Sequence, residues 1–548
     1  MNTESHLLSV VLFLPLVFCA VLLVTKQEDA KLHRTIAMLG TVITMLVSLA
    51  LAFGFRGDMT AGQFQFSESH AWLPTLSNGN DGASFHIGID GIGLLMVLMT
   101  TIVFPFVVGV SIPAIQERTK MFYFLVLLVE TAILGTFVSL DLILFYVFYE
   151  AMLIPLYFLV GIWGGEKRIA ATMKFFLYTM VGSMLMLVSI LSIYFMVGTF
   201  DLVTLQHLLP VALAKFGANA GAVEMLLFLG FFAAFAVKAP LWPFHTWVPD
   251  AYAEAPAGVS IILVALKMGL YGFIRFCLPL FPHAVAVAAP VIVTLAVIGV
   301  IYAALSAAVQ PDLKRLIAYS SISHIGVIML AIFGLTAAGL SGAVIQMFSH
   351  TFTTGALFIL AYYLYARRGT YDIAAYGGVW KVMPFFAAVF LITTLSAIAL
   401  PGTSGFTGEF LMLVGSFQTH PWAAGFATTS AIWSAVYMLW MFQRVMHGPI
   451  DKPEVEGMSD IGVSQQLAFV PIVAIIVFLG VYPTPALNAI NPSVTTILSQ
   501  VQPAGPAAGF AAGARALPSM PCSTIHLKDC AVVAATKVDP TVSRVSIP

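Results

Sequence analysis

The chain has 548 residues, of which 9% are charged and 60% are hydrophobic. Soluble globular domains carry roughly 25% charged residues, so this chain has too little polar surface for a water-soluble fold. A formal net charge of −1 argues against nucleic-acid binding, and the four Cys form no CxxC pair or Cys/His cluster that would indicate an iron-sulfur or zinc site.

Fourteen apolar runs are long enough to cross a bilayer, whose hydrocarbon core of about 30 Å takes roughly 20 helical residues. They cover residues 7–25, 35–55, 88–112, 120–139, 142–163, 174–198, 222–249, 256–278, 285–308, 313–335, 341–366, 383–418, 424–447 and 465–487. The runs are continuous rather than alternating, which favours helices over a β-barrel. The sequence therefore predicts an all-α polytopic membrane protein, with the first run retained because no small-residue cleavage site follows it.

Positive charge is concentrated in alternate loops between these runs. Fifteen Lys and Arg lie at 26–34, 118–120, 167–174, 314–315, 367–381 and 444–452, whereas the other loops hold only Arg56 and Lys215. The positive-inside rule then predicts that both termini lie outside, on the periplasmic side if the membrane is a bacterial inner membrane.

The order of the elements suggests four regions. Residues 1–118 hold the first three helices, 119–450 hold the ten helices of a core, and 451–487 hold a loop and the last helix. Residues 488–548 are rich in Ala, Pro, Gly and Ser, which predicts a flexible tail. Cys522 and Cys530 lie in this tail, either as a disulfide, which a periplasm permits, or as two unpaired thiols.

Several ionisable residues lie in the middle of predicted membrane helices, where the default interpretation is functional. Five of them are expected near the midplane: Glu150, Lys238, Lys267, His324 and His350. A sixth, Glu409, lies in run 383–418, which is too long for one straight crossing, so a break would return it to the same depth.

Prolines supply breaks beside two of these residues. Pro240 follows Lys238, and Pro401 precedes Glu409 within LPGTSGFTGEF. Broken helices of this kind line hydrated ion paths in membrane proteins. The two breaks fall in the seventh and twelfth helices, which run in opposite directions, so we predict two inverted five-helix repeats, helices 4–8 and 9–13.

Proton transfer is the chemistry that suits these side chains. Burial favours neutral lysine and a nearby carboxylate favours charged lysine, so movement of Glu150 relative to Lys238 could load or release a proton. Histidine relays protons near neutral pH. A structural clamp remains the alternative for any one pair, Glu130 could join the path or be a satisfied buried acid, and Asp250 and Glu254 could collect protons or face water.

Six segments together resemble the proton-translocating, antiporter-like subunits of respiratory complex I. They are FYEAMLIPLYFLVGIWGG, AVKAPLWPFHTWVPDAYAEAP, the Lys267 helix, DLKRLIAYSSISHIG, MFSH and LPGTSGFTGEFL, and the likeness covers about residues 85–485. It is greatest to the subunit type with glutamate in the second broken helix, where Glu409 stands, because the L and N subunits and the related antiporter subunits carry lysine there.

The resemblance implies a role for each residue. Glu150 and Lys238 would form the input pair, Lys267 the connecting site, His324 and His350 the relay, and Glu409 the distal site. It also implies a subunit of an NADH:quinone oxidoreductase that holds no cofactor, metal or redox centre itself, with FMN, iron-sulfur clusters and quinone on other subunits and the L and N subunits as neighbours. A sodium/proton antiporter subunit and a non-pumping membrane scaffold remain the alternatives.

Overall fold

A computed structural model describes residues 6–57, 64–73 and 82–501, all within one compact unit, Met1–Pro503. The described chain is mainly helical. Its α-helices are α1 (Leu7–Val24), α2 (Ala30–Gly54), α3 (Gly91–Ala114), α4 (Thr119–Val138), α5 (Leu142–Ala151), α6 (Leu153–Trp163), α7 (Arg168–Val197), α8 (Leu202–Ala214), α9 (Ala220–Lys238), α10 (Val248–Glu254), α11 (Ala257–Ala265), α12 (Met268–Gly272), α13 (Leu278–Leu280), α14 (Pro282–Ala308), α15 (Leu313–Phe333), α16 (Ala337–Arg368), α17 (Val379–Val382), α18 (Pro384–Ala397), α19 (Ser404–Thr419), α20 (Pro421–Met446), α21 (Pro453–Glu456), α22 (Val463–Val481) and α23 (Thr484–Val501).

The helices confirm the predicted polytopic membrane fold. Within the described residues, 12 segments are long and apolar enough to cross a membrane, with α5 and α6 counted as one and α11 to α13 as another. The two other predicted crossings correspond to α18 with α19, which are separated by a break, and to α20. Several helices begin where an aspartate side chain accepts a backbone N–H of the first turn, as Asp29, Asp141 and Asp312 do for α2, α5 and α15.

Four features differ from the sequence-based expectation. A two-stranded antiparallel hairpin, β1 (Gln65–Ala71) and β2 (Ser84–Ile89), precedes α3. The short helix α8 lies between the predicted sixth and seventh crossings. The predicted eighth crossing is broken at Leu266–Lys267 and contains a π-helical turn, Phe273–Cys277.

The fourth difference corrects the boundary of the predicted tail. Residues 488–501 belong to α23, whose apolar face is buried and whose Ser493 accepts the Gly91 N–H. The Pro- and Ala-rich composition of this segment did not predict a helix. Helix α23 is stabilised by packing of its apolar face rather than by helix propensity. Residues 502–548, with Cys522 and Cys530, lie outside the described residues.

Contacts between loops define two membrane faces. On one face, here called the hairpin face, Ser84 of β2 donates to Asp141 before α5, and Gly91 at the start of α3 contacts α23. On the other, here called the basic face, Lys120 reaches the carbonyls of Leu23 and Thr25. The loops alternate between the two faces along the chain.

A repeated motif identifies the two inverted halves. Residues 198–202 read GTFDL and residues 369–373 read GTYDI, an offset of 171 from 198 to 369. In the first copy Asp201 bridges to Asp141, and in the second Asp372 bridges to Asp312, again at an offset of 171. The first bridge lies at the hairpin face and the second at the basic face, as inverted topology requires. The same offset separates Lys238 from Glu409, which are therefore equivalent positions.

The most buried helices form the centre of the fold. Helices α11 to α13, α15 and α16 are almost completely enclosed, whereas α1, α2, α7 and α22 expose long apolar faces. Five of the six predicted functional residues are buried, namely Lys238, Lys267, His324, His350 and Glu409, and Glu150 is partly buried.

Candidate functional site

The first group of site residues surrounds the end of α9. Glu150, one residue from the end of α5, lies within electrostatic range of Lys238, the last residue of α9. The two make no direct ion pair within 4 Å. Instead, the Lys238 ammonium lies 4.5 Å from the centroid of the Tyr149 ring, a cation–π contact. Neither Lys238 Nζ nor Glu150 Oε1 has a hydrogen-bond partner among the described residues.

The chain around Pro240 explains why Lys238 stands at an open helix end. Helix α9 stops at Lys238, turns replace it over residues 239–247, and α10 resumes at Val248. Trp247 Nε1 donates to the Val237 carbonyl at 2.9 Å, and Leu241 N donates to the Ala236 carbonyl. Other carbonyls at this helix end favour a cation, which is consistent with the predicted position of the lysine.

Lys267 stands at a second discontinuity, between α11 and α12. Helix α11 ends at Ala265, and Lys267 precedes the first residue of α12. Its ammonium contacts His350 Nδ1 of α16 at 2.9 Å, although the two residues are 83 positions apart. Both side chains are buried, so this contact places two protonatable groups in direct hydrogen-bond contact inside the membrane region.

The two histidines are neighbours. The ring centroids of His324 on α15 and His350 on α16 lie 5.8 Å apart. Their Nε2 atoms have no hydrogen-bond partner among the described groups, which is unusual for buried polar atoms. Lys267, His350 and His324 therefore form one continuous cluster.

Glu409 is buried in α19, beyond the break that contains Pro401. Its Oε1 accepts the Ser430 hydroxyl of α20 at 2.9 Å, while Oε2 has no partner in the described part of the chain. No direct contact joins Glu409 to the two histidines. Gln346, one turn before His350, packs on Gly408, because a Cβ at that glycine would lie 2.4 Å from the Gln346 amide oxygen.

Gln346 and several other polar side chains were not identified from the sequence. Ser183 of α7 lies beside Glu150, and Ser321 of α15 lies one turn before His324 with its hydroxyl unpartnered in the described structure. The spacing of three or four residues from a predicted histidine was the available signal for Ser321 and Gln346. No sequence signal marks Ser183, because its contact with Glu150 depends on how α5 and α7 pack.

Glu130, Asp250 and Glu254, whose roles the sequence left open, have different surroundings in the structure. Glu130 is completely buried in α4, and neither carboxylate oxygen has a partner among the described residues. Asp250 forms ion pairs with Lys174 and Arg315, and Glu254 accepts the Lys167 backbone N–H. Among the described residues, no group of three or more His, Cys, Asp or Glu is placed to hold a metal ion.

Comparisons with known proteins give one consistent result. A family described as NADH:quinone oxidoreductase/Mrp antiporter, TM, matches residues 139–434. The NADH-quinone oxidoreductase subunit M of Rhodobacter capsulatus is 43% identical over 504 residues, which is 90% of this chain and 96% of that protein. A chain of respiratory complex I from Thermus thermophilus with bound NADH is 33% identical with a TM-score of 0.79, and the match covers 90% of this chain and 100% of that one.

A third comparison concerns fold alone. A chain of the Mrp complex from Dietzia sp. DQ12-45-1b is 20% identical, with a TM-score of 0.74, and the match covers 91% of this chain and 52% of that one. The shared architecture thus extends to proteins of low sequence identity.

Proposed function

The chain belongs to the NADH:quinone oxidoreductase/Mrp antiporter family of membrane subunits, and from this premise we propose that its buried ionisable residues carry protons across the membrane. It is a proton-translocating membrane-arm subunit of complex I. The electrons pass from NADH to quinone through redox centres on other subunits, namely FMN and iron-sulfur clusters.

The Lys267–His350 contact is the observation that carries this proposal. A buried lysine bonded to a buried histidine nitrogen at 2.9 Å forms a donor–acceptor pair between which one proton can be shared. A scaffold would gain more stability from apolar packing here, since desolvating a charge without a full counter-ion is costly.

The remaining site residues supply protons to the Lys267–His350 pair or carry them onward from it. Glu150 and Lys238 serve as the input pair, since the carboxylate favours the protonated lysine and its withdrawal favours release. His324 and His350 relay the proton onward, and Glu409 is the distal site, at the position equivalent to Lys238 in the second repeat. Helix discontinuities lie beside Lys238, Lys267 and Glu409, and irregular backbone at membrane depth is typical of ion paths.

The setting follows from the same family. The subunit resides in a bacterial inner membrane with the basic face toward the cytoplasm and both termini on the periplasmic side, as the distribution of Lys and Arg favours. The antiporter-like L and N subunits are its neighbours within the membrane arm.

Proton uptake by inside-out membrane vesicles tests the proposal. We expect Lys238→Ala to leave the complex assembled on native gels and to abolish most NADH-driven proton uptake. Full uptake by an assembled Lys238→Ala complex would make the buried ionisable residues structural.

The shared fold with the Mrp complex supports a second candidate, a sodium/proton antiporter subunit. Sodium-driven proton exchange in vesicles without NADH would favour it. We expect no sodium dependence, and NADH-dependent uptake in sodium-free buffer would contradict the antiporter.

A further inference from the structure

Asp250 lies on α10, the short second half of the broken helix that begins with α9. Its Oδ2 accepts Lys174 Nζ at 2.9 Å, and its Oδ1 pairs with an Arg315 guanidinium nitrogen at 3.2 Å. Lys174 belongs to α7 in the first repeat, and Arg315 belongs to α15 in the second. One carboxylate thus joins both repeats at the basic face.

The same two helices hold α10 at both of its ends. Lys174 Nζ also donates to the Thr246 carbonyl at 2.7 Å, just before α10 begins. Lys314, beside Arg315, donates to the Ala253 and Ala255 carbonyls at 2.8 and 2.5 Å, where α10 ends. A seven-residue helix has little stability of its own, so these contacts, together with the buried side chains of Val248, Ala251 and Tyr252, hold α10 in place.

Both partners of Asp250 lie on helices that continue to the functional groups. Ser183, beside Glu150, is nine residues along α7 from Lys174, and His324 is nine residues along α15 from Arg315. At 1.5 Å per residue, each group lies about 13 Å above the ion pairs. A shift of α10 at the Lys238 break would therefore act on both helices at the same depth.

We propose that Asp250 is a positioning residue that couples the two repeats, so that rearrangement of the break at Lys238 reaches the His324 side of the path through α10 and α15. This inference rests on the proposed function. It differs from a proton-collecting role because both carboxylate oxygens already bind cations, and Asp250 is only about one-third exposed.

The experiment measures NADH oxidation and proton uptake per assembled complex in inside-out vesicles. We expect Asp250→Asn to lower both rates at least about twofold, the scale of change that coupling residues produce, with the KM for quinone unchanged. Asp250→Glu should restore most of the loss. Glu456→Gln is the matched control, because it removes an exposed acid near the same face that makes no ion pair among the described residues.

A double-variant cycle locates the coupling. Asp250→Asn combined with Arg315→Gln should be no worse than Asp250→Asn alone, because the single change at Asp250 already removes the link to Arg315. Asp250→Asn combined with Lys381→Gln, an exposed cation at the basic face, should instead show independent effects.

Three outcomes would overturn the inference. Normal turnover per complex with reduced assembly or thermal stability would assign Asp250 a purely structural role. Recovery of Asp250→Asn by a small mobile buffer such as imidazole would indicate proton collection. Wild-type rates of NADH oxidation and proton uptake in Asp250→Asn, when Lys238→Ala is defective, would contradict the coupling role but not the proposed function. Normal proton uptake by Lys238→Ala would contradict the proposed function itself.

Discussion

The immediate surroundings of Lys238 bear directly on its proposed role in proton transfer. The Tyr149 ring at 4.5 Å stabilises the ammonium without accepting its proton, and Glu150 acts from a greater distance than a direct ion pair. A direct ion pair would hold the proton more firmly. This arrangement therefore leaves the charge of Lys238 sensitive to small movements of Glu150.

The first prediction concerns that sensitivity. Glu150→Gln should reduce NADH-driven proton uptake by about tenfold or more while the complex still assembles, because the charged lysine loses its nearby carboxylate. Proton uptake in vesicles and native gels measure the two effects. Unchanged uptake would show that Glu150 is not part of the input pair.

Close packing beside Lys238 gives a second prediction. A Cβ on Gly269 would lie 2.6 Å from the Phe235 carbonyl oxygen and 2.7 Å from Ala239 N, so Gly269→Ala must push α12 away from the end of α9. We expect a loss of about 1–3 kcal/mol, seen as a lower melting temperature of the purified complex. Gly425→Ala is the control, since nothing lies within 4 Å of its added Cβ, and an equal effect of both variants would contradict the argument.

Among the elements, the broken eighth crossing is held in place by a buried ion pair and two buried hydrogen bonds. After the break at Lys267, its π-helical turn presents Arg275 to Asp90, the N-cap of α3, and Arg275 Nε donates to the Tyr271 hydroxyl at 3.0 Å. Tyr271 in turn donates to the Phe137 carbonyl of α4. Three helices are therefore fixed near the hairpin face by one buried group of side chains.

Removing one charge from this group should be costly. Arg275→Met leaves Asp90 buried without its counter-ion, which typically costs about 3–5 kcal/mol, so we expect poor assembly on native gels. The double variant Asp90→Asn with Arg275→Met should assemble better than Arg275→Met alone. A double variant that is equally defective would show that packing of the arginine, rather than charge, is what matters.

For the whole molecule, the inverted repeats place one buried ionisable residue at the equivalent position of each half. Lys238 and Glu409 occupy equivalent positions, and the two aspartate bridges mark opposite membrane faces. A pseudo-twofold arrangement of this kind allows one half to exchange protons with one side and the other half with the opposite side.

Helix α23, at the end of the described residues, packs against the start of α3. Helix α23 buries Ile490, Val494 and Ile497, and Ser493 accepts the Gly91 N–H at 3.1 Å. Truncation after Tyr482 should therefore impair assembly, whereas truncation after Val501 keeps every contact made within the described residues. Native-gel assembly of both truncated subunits checks this, and equal assembly would contradict a structural role for α23.

Much of the membrane architecture follows from local sequence. Twelve of the fourteen predicted crossings are long and apolar enough in the described residues, and the breaks at Pro240 and Pro401 were predicted as well. Bilayer thickness and the missing proline N–H act over short stretches, which makes both features readable from local sequence. The break at Lys267 was not predicted, since no proline marks it and its stability comes from packing of α12 on α9.

The sequence by itself determined that this is a polytopic helical membrane protein with several ionisable residues in its apolar helices, because lipid demands long apolar helical segments at every crossing. Only the tertiary structure decided which of those residues meet. Depth along a helix does not determine lateral position, so the contact of Lys267 with His350, the shared pairing of Asp250, and the separation of Glu409 from the histidines depend on how distant helices pack.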